Sequence, residues 1–236
     1  MSWSYRLIRI AGTDVKVHVT FLLLLGYLGL QAYHEGGTPA AAETLALVLG
    51  VFLCVLLHEL GHIFMARHFG VRTPDVILLP IGGVARLERM PSEPRQEFLI
   101  ALAGPAVTLG IAAALYGCLS AWGMHPTLLS TELDGSSLIT ALMQVNVFLL
   151  LFNLIPAFPM DGGRVLRSLL AMRLGLLPAT RIAARIGQCL AIVAAVYAFQ
   201  QEGETMLVLI AVFVFFGAGA ELAAVEMRAA RVGNGR

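Results

Sequence analysis

The chain of 236 residues is 58% hydrophobic and only 13% charged, with a mean hydropathy of +0.81, whereas soluble globular domains carry about 25% charged residues. That balance excludes a soluble globular enzyme and predicts an integral membrane protein. Sixteen basic and fifteen acidic residues nearly cancel, yet their segregation along the chain reads as membrane topology and argues against a nucleic-acid role.

About sixteen strand-like or turn-like residues come first, followed by an apolar run from Val17 to Tyr33 with no small-residue cleavage site, so the run is expected to stay attached rather than act as a signal peptide. Further runs long enough to cross a hydrocarbon core about 30 Å thick lie near Thr44 to Ala66, Phe98 to Trp122, Leu138 to Pro159, Ile182 to Phe199 and Thr205 to Ala224. Between the second and third runs, Val76-Ile77-Leu78-Leu79-Pro80-Ile81-Gly82-Gly83-Val84-Ala85 is too short to span. It is rich in β-branched residues and broken by Pro80 and the Gly82-Gly83 pair, which predicts two short strands and a turn. Two readings stay open for it: an ordinary cytoplasmic hairpin, or a re-entrant hairpin lining a cavity in the membrane. The expected fold is an all-α membrane protein of about six transmembrane helices with a short re-entrant or membrane-associated β-hairpin between the second and third. A single transmembrane domain is expected over 1–236.

Every Lys and Arg, from Arg6 to Arg236, falls before the first span, between the second and third, between the fourth and fifth, or after the sixth. The opposite loops hold Glu35, Glu43, Glu132, Asp134, Glu202 and Glu204. The positive-inside rule therefore predicts a multi-pass protein with both termini in the cytoplasm, its basic loops touching the lipid bilayer's headgroups. Cys54, Cys118 and Cys189 lie singly within apolar spans and are expected to be buried small hydrophobes rather than disulfides or ligands.

The second span carries His58-Glu59-Leu60-Gly61-His62. Two imidazoles four positions apart share one helix face and can hold one Zn²⁺, with Glu59 beside them in reach of an attacking water. A chance HExxH on a solvated helix is the plain alternative. Each ionisable group in hydrocarbon costs about 2–3 kcal/mol or more, and three together call for a metal. A catalytic zinc needs a third protein ligand. The acidic candidates in or beside the spans are Glu59, Asp161 and Glu221, and Asp161 lies among Pro156, Pro159, Gly162 and Gly163, which break the helix and let the carboxylate turn inward. Depth agrees: His62 lies five residues before Arg67, about 8 Å from the cytoplasmic end at about 1.5 Å per residue, and Asp161 lies three residues before Arg164. Asn146 and Asn153, two turns apart, either bond a neighbouring helix or steady a substrate backbone or oxyanion. His18 reads as an interfacial histidine, and His34, His68 and His125 carry no pattern.

HELGH together with the segment Asn153-x-x-Pro156-x-x-Pro159-x-Asp161-Gly162-Gly163 resembles the site-2 proteases, the intramembrane zinc metalloprotease family. The likeness covers nearly the whole chain. It implies that His58, His62 and Asp161 bind one zinc and that Glu59 acts as general base. It further implies a membrane-associated hairpin from Pro80 to Arg86 beside the active site, and marks Ala103-Gly104-Pro105 in the third span. The family commonly follows that tripeptide with an Asn where this chain has Thr108. The branch it is most similar to often carries a cytoplasmic pair of CBS domains, which is not found before Arg236. The implied partner is a single-pass membrane protein such as an anti-sigma factor or another membrane-tethered regulator, in a bacterial or archaeal plasma membrane.

The expected chemistry is hydrolysis of a peptide bond within or near a transmembrane segment. The substrate must unwind first, and Gly82, Gly83 and Val84 of the hairpin are candidates to hold it as an added strand. A metal-ion transporter is the alternative from another class. It fits less well, because the outer halves of the spans are almost wholly apolar. A catalytically dead scaffold is disfavoured by the presence of Glu59.

Overall fold

The computed structural model describes residues 3–80, 82–86, 88, 93–124, 126–128, 137–201 and 205–233, apart from the side chains of Val84, Arg86 and Val232. Two compact units divide the chain, one comprising Met1–Met90 and Ala103–Leu151, the other Pro91–Leu102 and Phe152–Arg236.

In the first unit, strands β1 (Ser4–Ile10) and β2 (Thr13–His18) lead into the 50-residue helix α1 (Val19–His68). His18 caps α1, its Nδ1 accepting from the Thr20 amide at 3.3 Å. The helix is interrupted at Gly37, whose φ of 71° and ψ of −159° only glycine adopts readily, with Pro39 two residues on. The two arms fold back on each other. A Cβ on Gly29 would meet the Leu45 side chain at 3.2 Å, and the Phe21 and Phe52 rings lie 4.2 Å apart, whereas sixteen residues of straight helix would separate Gly29 from Leu45 by about 24 Å. The first two expected spans are thus the arms of one helical hairpin.

Strands β3 (Asp75–Leu79) and β4 (Gly82–Arg86) pair antiparallel, as the apolar run and the glycine pair predict. The sheet is larger than expected. β2 pairs parallel with β3, giving the order β1-β2-β3-β4, because the strand-like N-terminal residues join the hairpin. Alternate residues Val15, Val17, Val76 and Leu78 pack with Phe21, Leu60 and Ile63 of α1 in one apolar cluster. Burying a Val or Leu side chain contributes about 1.5–3 kcal/mol, so this cluster ties the sheet firmly to the HELGH end of α1. Lys16 Nζ donates to Asp75 Oδ2 at 2.7 Å across the β2–β3 pair.

Helix α2 (Pro94–Ala121) and helix α3 (Leu138–Leu154) follow, then α4 (Asp161–Leu174), α5 (Leu176–Gln200) and α6 (Thr205–Gly233). α1, α2, α5 and α6 are long and apolar enough to cross a membrane, and α3, with 17 residues, is a shorter apolar helix. Their exposed side chains include Leu23, Leu53, Phe199 and Phe216, which is how a helix meets lipid.

The fourth expected span ends earlier than its apolar run. α3 stops at Leu154, the Pro156 and Pro159 region is irregular, and α4 begins at Asp161. The sequence reading missed α4 altogether, because its polar face, with Arg164, Arg167 and Arg173, reads as a cytoplasmic loop. In the second unit, Phe158 packs among Ala183, Ala184 and Ala218, while Ala157 and Met160 pack with Ala191 and Val214. Small residues on α5 and α6 permit this close approach. A Cβ on Gly217 would meet Pro159 Cδ at 2.8 Å, and one on Gly187 would meet Ala157 Cβ at 3.1 Å.

Three readings change. Cys54 is buried as expected, but Cys118 and Cys189 are exposed, in keeping with side chains that face lipid; all three are free thiols. Arg167 is not a surface topology charge but is fully buried, its guanidinium held by Glu97 and by Glu221. Burial alone works against that charge, yet the two carboxylates hold its pKa above the ordinary arginine value. Glu221, one of the acidic candidates for the metal, is therefore engaged as an ion-pair partner. The acidic loop residues Glu132, Asp134, Glu202 and Glu204, with His125, lie outside the described residues.

Candidate metal centre

The histidines meet as their spacing predicts. Both are buried in α1, and His58 Nε2 and His62 Nε2 approach to 3.1 Å with their rings at 84°. Two nitrogens each about 2.0–2.1 Å from one tetrahedral zinc would stand about 3.3 Å apart. The pair therefore fits a zinc ion without rearrangement.

Helix α2 makes room for the rings. A Cβ on Gly104 would fall 2.2 Å from His62 Nε2 and 2.8 Å from His58 Cε1, and one on Gly61 would fall 2.7 Å from the Ala103 carbonyl oxygen. Glycines at both positions let α2 run directly against the imidazoles. Four residues on, Thr108 is fully buried. Its hydroxyl donates to the Gly104 carbonyl at 3.3 Å and lies 2.9 Å from His58 Nδ1. With the hydroxyl proton committed to Gly104, Thr108 accepts from His58 Nδ1–H, which leaves the Nε2 lone pair for a metal. The sequence supplied no role for Thr108. The signals available were a polar residue one turn past Gly104 within an apolar helix and the Asn that the resembling family commonly carries there.

Glu59 is half-buried, and β4 lies against it: a Cβ on Gly83 would meet Glu59 Cγ at 2.7 Å and Oε1 at 3.3 Å. The hairpin thus adjoins the HELGH helix. β4 ends the strand order, so its outer edge pairs with no strand among the described residues. Gly82, at φ 130°, opens β4, and Val84 pairs with Ile77; the Val84 side chain lies outside the described residues. Asn146 is fully buried on α3, its Nδ2 donating to the Leu142 carbonyl at 2.8 Å while its Oδ1 has no partner among the described residues.

In the second unit Asp161 occupies the first turn of α4 and is buried. Its position is fixed by the two glycines after it. A Cβ on Gly162 would sit 2.3 Å from the Ile155 carbonyl oxygen, and one on Gly163 would sit 2.6 Å from Phe158 N. The 154–158 chain folds directly over the start of α4, and only glycine leaves it space. Asn153 lies half-buried near the end of α3.

The fold and these residues describe a multi-pass helical membrane protein with a buried histidine pair whose geometry suits a metal ion. A family model described as peptidase family M50 matches residues 46–194, and the chain belongs to that family. It is 37% identical over 96% of its length to a zinc metalloprotease of Methanocaldococcus jannaschii, and 31% identical over 74% to the stage IV sporulation protein FB of Bacillus subtilis. The chain spans 63% and 54% of those two relatives' lengths. It also resembles the solved structure of the site-2 protease from Methanocaldococcus jannaschii, with a TM-score of 0.65 and 35% identity over 93% of this chain and 95% of that one. Zinc is the metal that the relatives' names and the donor chemistry both indicate. The transport reading finds no support among them.

Proposed function

We propose that this chain is an intramembrane zinc endopeptidase that cuts a peptide bond within or beside the transmembrane segment of a single-pass membrane protein. The observation that carries the reading is the convergence of His58 and His62 Nε2 at 3.1 Å inside an apolar helix. His58, His62 and Asp161 complete the ligand set in this reading. All three are buried, and each offers one donor atom of a kind zinc takes, two imidazole nitrogens and one carboxylate oxygen.

Zinc, when bound, supplies Lewis-acid activation of water and of the peptide carbonyl. Glu59 accepts the proton of the attacking water and returns it to the leaving nitrogen. Gly83 sets how closely β4 can approach that carboxylate, and the free outer edge of β4 holds the unwound substrate as an added strand. Asn146 Oδ1, a buried acceptor without a partner, receives a substrate amide, and Asn153 steadies the same segment. The segregation of basic residues supports cytoplasmic termini, hence cleavage near the cytoplasmic face of the plasma membrane. Membrane-tethered regulators such as anti-sigma factors are the expected substrate class, cut in regulated intramembrane proteolysis.

Glu59→Gln tests the reading. Parent and variant should each carry about one zinc per chain, and only the parent should cleave a transmembrane test substrate. Equal cleavage by both would remove Glu59 from the chemistry, and absence of zinc from the parent would remove the metal centre.

A further inference from the structure

A second concave site lies in the first unit, on the side of the sheet where the β1–β2 turn, the last turn of α1 and the segment leading to β3 meet. Its volume is about 600 Å³, and Arg9, Arg67 and Arg72 line it together with Gly12, Thr73 and Glu88. Nothing in the peptidase reading uses it. We propose that this cleft binds a phosphate ester.

Charge is the first support. Three guanidiniums face one carboxylate, Glu88, among the lining side chains. Asp14, outside the cleft lining, lies 3.6 Å from Arg9 Nε and is shared with Arg6 at 3.8 Å; the Arg9 side chain is largely exposed, so this pair offsets only part of the cleft's positive charge. Two of the arginines are placed by the backbone. Arg67 Nη1 donates to the Ala11 carbonyl, pinning the β1–β2 turn to the end of α1, and Arg9 Nη2 donates to the Gly12 carbonyl at 3.4 Å. A guanidinium has five N–H donors, so each keeps several for a ligand, and planar guanidinium groups suit phosphate oxygens.

The second support is independent of charge. Thr73 is 6% exposed, and its buried hydroxyl has no hydrogen-bond partner among the described residues. Its carbonyl is already taken by the Thr13 hydroxyl at 2.7 Å. A buried hydroxyl without a partner is costly, and because Thr73 lines the cleft, a turn of its side chain would bring the hydroxyl to a phosphate oxygen there. The negative end of α1 does not oppose an anion here, because Phe69, Gly70 and Val71 amides cap the last carbonyls of the helix.

The volume exceeds that of a bare phosphate and suits a phosphate with an attached group. In the orientation proposed above, Arg67 sits where lipid phosphates lie. A lipid headgroup and a soluble phosphate ester share this chemistry. They are separable by affinity.

The test is calorimetric titration of the intact protein in nonionic detergent with a short-chain phosphatidylglycerol and with glycerol 3-phosphate. One saturable site per chain is expected, weakened about tenfold or more by Arg72→Gln and by Thr73→Val, and unchanged by Arg228→Gln on the exposed end of α6. Zinc content at the parent level verifies that each variant is folded. Tighter binding of the lipid assigns the cleft to the bilayer, and tighter binding of glycerol 3-phosphate assigns it to a soluble ester. The proposal is overturned if neither probe saturates, if both cleft variants bind like the parent, or if a polyglutamate peptide displaces the probes as well as phosphate does. None of these outcomes depends on peptidase activity, so failure here leaves the metalloprotease reading standing.

Discussion

Thr108→Val isolates one hydrogen bond beside the metal centre. Valine matches threonine in shape, so the fully buried position stays filled while the acceptor for His58 Nδ1–H is lost, together with the long 3.3 Å bond to the Gly104 carbonyl. Without zinc, His58 can respond by moving its proton to Nε2, and the metal-free protein should melt close to the parent. With zinc on Nε2, the proton is forced onto Nδ1, and that buried donor loses its Thr108 acceptor. That costs about 1–3 kcal/mol, or about 5- to 150-fold in zinc affinity, in line with the 10- to 100-fold typical when a ligand's outer partner is removed. Competition against a fluorescent chelator measures it. Thr108→Ser, which keeps the hydroxyl, should restore most of the affinity, and ¹⁵N-histidine spectra of the metal-free protein should show His58 moving from one tautomer toward a mixture in the valine variant alone. Parent-like affinity in Thr108→Val would refute the argument that this hydroxyl sets the tautomer.

Gly104→Ala places a methyl 2.2 Å from His62 Nε2, so the variant should purify folded but nearly free of zinc, as read by metal analysis beside circular dichroism. Val84→Pro removes an amide from the edge strand β4; cleavage of a transmembrane test substrate should fall by about tenfold or more with zinc content intact, and normal turnover would count against strand addition. Arg167→Met leaves Glu97 and Glu221 facing each other without their cation and should destabilise the protein by about 3–5 kcal/mol. Denaturant unfolding in detergent measures that loss, and adding Glu97→Gln and Glu221→Gln should recover part of it.

The approach of the two histidines was legible because it follows from fixed spacing on an apolar helix. His58 and His62 need only the helical repeat to converge, and an aspartate between Pro159 and Gly162 needs only a broken helix. What lay beyond reach were contacts set by chain folding. The hairpin of α1 turns on the backbone of Gly37, and hydropathy marks the two runs without showing that Phe21 meets Phe52. The parallel β2–β3 pair joins segments some sixty residues apart, so no local pattern could place the N-terminal residues in the sheet. Arg167 was misread for a related reason. Its charge fits a loop count, and only the packing of α2 and α6 around it makes it a buried cation.

Glycine sets the packing around the histidine pair and around Asp161 alike. Gly61 and Gly104 let two helices close to where a carbonyl and two imidazoles nearly touch, and Gly162 and Gly163 let an irregular segment lie over the helix that begins with Asp161. In each case the approach distances of 2.2–2.8 Å leave no room for a Cβ, so the candidate ligands are positioned against closely packed backbone. Catalytic ligands need placement to within about 0.5 Å. Backbone packed at this closeness supplies it in a membrane, where hydrophobic burial gives helices no drive to associate and contact distance has to do that instead.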